Sequence, residues 1–60
     1  RRFAVSVERI AALEKVLDDL DAAYHTLFEL GYTAEGNAVM GAAERIEGKI
    51  MDLEEEAGLV

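Results

Sequence analysis

His25 stands four residues after Asp21 and four before Glu29, in a D-x-x-x-H-x-x-x-E line. Residues at this spacing share one face of a helix, and imidazole with carboxylates is a donor set for transition metals or an acid/base pair. A metal asks for three or four donors converging from different elements, whereas these three climb one face of one helix. The glutamate-x-x-histidine spacing of carboxylate di-metal bundles also fails, because Ala22 stands three positions before His25. The chain has one His and no Cys, so a site here needs assembly to bring in a carboxylate such as Glu44 or Glu47. An oligomeric metal-binding or catalytic carboxylate/histidine site at a subunit interface is therefore the alternative function. Read alone, His25 is a solvent-facing residue beside Tyr24.

Other chemistry is sparser. Asp18, Asp19 and Asp21 form one acidic cluster and Glu54, Glu55 and Glu56 another. General acid/base work needs carboxylates facing each other across a pocket with separated pKa values, and these are runs on helix surfaces. A solvated face accounts for both, with docking of a basic partner as the other reading. Ser6, Thr26 and Thr33 are the hydroxyls besides tyrosine, none beside a general base, and "GNAVMG" lacks the lysine and preceding strand of a phosphate loop. Met40 and Met51 read as core fillers. No residue is assigned as catalytic, cofactor-binding or metal-binding, no cofactor is expected, and an enzyme is not the expectation.

The elements that carry these residues are legible from apolar spacing. Ile10, Leu13, Leu17, Leu20, Tyr24 and Leu27 recur at 3 and 4, which places them on one helix face with the period of an a/d coiled-coil seam. Val16, Ala23 and Leu30 widen the stripe on one flank and Phe28 on the other, so the helix can meet more than one neighbour. Ser6 is the expected N-cap, with Val5 and Ile10 as a hydrophobic staple, and the first helix is expected over residues 7–30. Gly31 fits a left-handed C′ position with Tyr32 following it, and Thr33 is the expected N-cap of a second helix. The turn is thus 31–33 and the second helix 34–57.

In that second segment Val39, Ala43, Ile46, Ile50, Leu53, Ala57 and Val60 continue one apolar line. Gly36, Gly41 and Gly48 each cost about 1 kcal/mol against alanine in a helix interior. Along the small-residue strip Ala34, Ala38, Gly41, Arg45 and Gly48, two readings stand: close approach of another helix, or a kink near Gly36 or Gly41. Gly58 is the expected terminator. Residues 1–6 are expected as an extended arm, since Phe3, Val5 and Val7 alternate with Arg2, Ala4 and Ser6 in the period of a strand, and a strand here would need a partner from a second copy.

Composition sets the limits. Sixty residues bury about 60% of the surface of the extended chain, yet 52% of them are hydrophobic. Other copies or a partner protein are expected to complete the core. Thirteen acidic against six basic residues give a formal charge of −7, which opposes binding to nucleic acid or an anionic membrane. No run of 18 apolar residues and no apolar segment after Arg1 and Arg2 is present, so neither a membrane span nor a secretory leader is expected and the expected location is cytoplasmic. The missing initiator Met is what a processed or excised piece would show. The order strand, helix, glycine turn, helix is also that of ribbon-helix-helix DNA-binding dimers, which gives a second alternative using residues 1–7. The long first helix, the outward strand positions that offer only Arg2, Ala4 and Ser6 to base edges, and the negative charge all speak against it.

The expected fold is all-α: an antiparallel two-helix hairpin that dimerises into a four-helix bundle, with a short extended N-terminal arm or strand, in one domain spanning 1–60. The expected function is a non-catalytic, self-associating helical module in protein–protein interaction, assembly or small-subunit regulation. Its interface residues are Ile10, Leu13, Leu17, Leu20, Tyr24, Leu27, Phe28, Val39, Ile46, Ile50 and Leu53, and its partners are a second copy and, beyond it, another protein.

Overall fold

A computed structural model describes the backbone of residues 2–59 and the side chains of residues 4–59. Two helices account for nearly all of it, α1 over Arg2–Glu29 and α2 over Thr33–Glu56. A helix of 28 residues is about 42 Å long at 1.5 Å per residue, and the molecule measures 45 × 14 × 12 Å. With three residues between them, helices of this length fit those dimensions only side by side and antiparallel. The all-α hairpin expected from the spacing is therefore what the chain forms.

The turn is built around Gly31. Its φ of +88° lies in the left-handed region, where a side chain would clash with the following carbonyl. Gly31 N–H donates to the Phe28 carbonyl at 3.0 Å and Tyr32 N–H to the Leu27 carbonyl at 2.9 Å, the paired bonds of a Schellman cap. Gly58 repeats the device at the end of α2, with φ +74° and bonds from Gly58 N–H to Glu55 and from Leu59 N–H to Glu54. The N-cap of α2 differs from expectation by one residue. Tyr32 occupies it, its carbonyl accepting from Gly36 N–H at 2.9 Å, and it makes no side-chain capping bond. Thr33 is already helical because the Schellman turn has delivered the chain to the helix axis one residue earlier.

The larger correction concerns the N-terminus. Residues 2–6 are neither an extended arm nor a strand but the first turns of α1, so Ser6 is not an N-cap and Val5 with Ile10 is not a staple. Ser6 instead lies on the buried seam, 4% exposed, one turn before Ile10. Val5 and Val7 fall on opposite flanks of that seam and are 44% and 39% exposed, which is how an alternating pattern is absorbed by a helix. The physical reason is backbone satisfaction: a helix pairs its own N–H and C=O groups, whereas a lone strand leaves both rows open.

The core lies along the line where the helices meet. Ile10, Ala43 and Ile50 are buried, at 7%, 4% and 8% exposure, and no described side chain is fully enclosed. Gly36 is also buried. A Cβ built on it would stand 2.5 Å from Phe28 Cε1, so this glycine lets the Phe28 ring close over the start of α2. Tyr24 packs edge-on against the same ring at a centroid distance of 5.9 Å. Gly41 and Gly48 have nothing within 4 Å of a would-be Cβ. They admit no close neighbour within the hairpin, and α2 runs through them unbroken.

Candidate interaction surface

The expected interface residues are among the less exposed positions of the two helices. Ile10 and Ile50 are buried, while Leu13, Leu17, Leu20, Tyr24, Leu27, Phe28, Val39, Ile46 and Leu53 are half-buried. The two stripes thus meet each other inside one chain. Their residual exposure is a property of geometry: two cylinders touch along a line, and side chains to either side of it stay open. Met51, expected as a core filler, is 62% exposed, on the flank of α2 that carries Glu47 and Glu54, whereas Met40 is half-buried.

The histidine line remains on the surface. His25 is exposed, its Nδ1–H donates to the Asp21 backbone carbonyl at 2.8 Å, and its ring lies 4.7 Å from that of Tyr24. One nitrogen is thereby committed to the backbone. Among the described residues no three His, Asp or Glu side chains converge as a metal site would require. Thr26 Oγ1 donates back to the Ala22 carbonyl at 3.0 Å, and Lys15 meets Asp19 at 3.5 Å in an exposed pair, worth at most about 0.5 kcal/mol at this spacing. With residues 2–7 helical, the paired strand that a ribbon-helix-helix reading requires is absent from the described residues.

What the hairpin does create is two unlike faces, one on each side of the line of contact. On one side a groove of about 430 Å³ runs between the helices, lined by Arg9, Ala12 and Leu13 of α1 and by Lys49, Asp52, Leu53 and Glu56 of α2. Val5, Ala12, Val16 and Ala23, at spacings of 7, 4 and 7, carry its apolar wall along α1. Val16 is 41% exposed. On the opposite side Glu14, Asp18 and Asp21 of α1 face the side of α2 that bears Glu47 and Glu54, with no Lys or Arg among them. The half-buried Tyr24 senses this side: its phenol is pushed above the usual 10, first by lost solvent, then by the charge and acceptor oxygens of Asp21, with Glu47 and Glu44 adding to it.

Of the groove residues, the sequence pattern singled out Leu13 and Leu53 as apolar stripe and Glu56 as part of an acidic run, and gave Arg9, Ala12, Lys49 and Asp52 no place in a site. Arg9 and Lys49 are forty positions apart, and only folding at Gly31 makes them neighbours; the signal present was a flank of α1 more apolar than solvent exposure requires. No helix is long and apolar enough to cross a membrane among the described residues. Comparison of the chain with protein-family models, curated proteins and solved structures finds no match, so the geometry alone carries the functional reading.

Proposed function

We propose that this chain is a self-associating helical module whose hairpin pairs with a second copy to form a four-helix bundle, acting in protein assembly or as a small regulatory subunit. The observation that carries the reading is an incomplete core. A compact 6.6 kDa protein exposes about 3,900 Å², whereas the hairpin exposes 4449 Å², and none of its described side chains is fully enclosed. The excess, about 550 Å², is about two-thirds of the roughly 800 Å² per partner that a standard interface covers. Pairing two hairpins converts a line of contact into an enclosed four-helix core. A closed symmetric dimer is the simplest assembly that does so. Sedimentation velocity at micromolar concentration is the test: a dimer or larger species is expected, and a well-folded monomer that persists as concentration rises would sink the reading.

A further inference from the structure

The two faces of the hairpin are not equivalent as docking surfaces. The acidic side, with Glu14, Asp18, Asp21, Glu47 and Glu54, would repel its own copy, because like charges brought together across an interface oppose association. The groove side is mixed: Arg9 and Lys49 stand beside Asp52 and Glu56 around the apolar floor of Ala12, Leu13 and Leu53. Among the described residues none of these four charges makes an ion pair within 4 Å; the one such pair joins Lys15 to Asp19, elsewhere on α1.

We infer that the groove face is the self-pairing surface, and that two hairpins meet there with their open ends together about a two-fold axis parallel to the helices. This rests on the self-association proposed above and adds to it the face and the orientation. A rotation of that kind keeps helix directions and lays α1 of each copy over α2 of the other, so every neighbouring pair in the bundle is antiparallel. It sets Arg9 of each copy against Asp52 and Glu56 of the other, twice by symmetry, and covers the Ala12 and Val16 wall. The acidic faces then point outward on both sides, where their charge favours solubility and opposes further stacking.

The test is charge reversal with complementation, read by sedimentation velocity together with circular dichroism. All three positions are exposed, so helicity should survive. Arg9→Glu alone, and Asp52→Lys with Glu56→Lys, should each weaken the dimer at least about tenfold. An equimolar mixture of the two variants should regain association as a heterodimer, since both symmetric contacts become attractive again. Glu14→Lys with Glu47→Lys, on the opposite face, should leave dissociation no worse than wild type. Wild-type association by both reversed variants, failure of the mixture to recover, or dissociation caused by the opposite-face pair would each overturn the inference while leaving self-association standing. A monomeric wild type would overturn both.

Discussion

Ser6 and Tyr24 show how placement decides what a polar side chain does here. A serine at a helix N-cap stabilises by accepting from a free N–H, and its loss costs about 1 kcal/mol. Ser6 sits instead inside α1, 4% exposed and on the seam with Ile10, where alanine has the better helix propensity and no hydroxyl to desolvate. Ser6→Ala should therefore raise stability by about 0.5 kcal/mol or more, visible as a higher urea midpoint; a loss of about 1 kcal/mol would restore the capping role. Tyr24 bears on pH. Its phenol ionises later in the folded state than the ordinary value of 10, so the unfolded chain loses that proton first. The favourable contribution is complete below about pH 10 and is lost as pH rises through the folded value. Asp21→Asn removes the nearest negative charge. The phenolate absorbance of Tyr24 should then appear at lower pH than in wild type, with no such displacement expected from the distant Glu56→Gln.

At the scale of the element, the glycines of α2 divide by what surrounds them. Gly36 is closed over by Phe28, which a Cβ would approach to 2.5 Å, so Gly36→Ala sets an overpacking cost of about 1 to 3 kcal/mol against a propensity gain of about 1. Net destabilisation of about 1 kcal/mol is expected, with loosening of the Tyr24 and Phe28 ring pair. Gly41 and Gly48 meet open space. Alanine at either should stabilise by about 1 kcal/mol, and denaturant titration of the three single variants should give one negative and two positive changes. Neither glycine lines the groove, so pairing through that face would make no use of them, and Gly41→Ala with Gly48→Ala should retain the association of wild type. Loss of assembly in that double variant would place the interface on the small-residue strip.

For the whole molecule the governing fact is shape. The radius of gyration is 13.7 Å, against about 10 Å for a compact chain of this length, so a rod two helices wide has replaced a globule. Burial in such a rod is one-sided for both helices. Ile10 and Ile50 are buried while Val16 and Val5 stay open. If a second copy supplies the missing cover, folding and association are linked and the melting temperature depends on concentration. A hundredfold increase in protein concentration should raise the melting temperature by several degrees, a size set by about 2.7 kcal/mol of mass-action stabilisation. Concentration-independent melting would place all of the stability in the hairpin itself.

How much of this was legible in the sequence varies by interaction range. The period of Ile10, Leu13, Leu17, Leu20, Tyr24 and Leu27, the line from Val39 to Ala57, and the positive-φ demand at Gly31 and Gly58 are local facts, set by side-chain spacing and backbone sterics, and they determined two helices, one turn and the seam. The N-terminus misled for a related reason. An alternating run of six residues fits a strand as well as one and a half turns of helix, and only the helix lets those residues satisfy their own backbone without a partner. What the tertiary structure alone decided is which side chains become neighbours across the turn: Phe28 over Gly36, and Arg9 beside Lys49, Asp52 and Glu56. Those placements bring together residues far apart in the chain, and they follow from the register in which two antiparallel helices settle, which is a property of packing rather than of any local pattern.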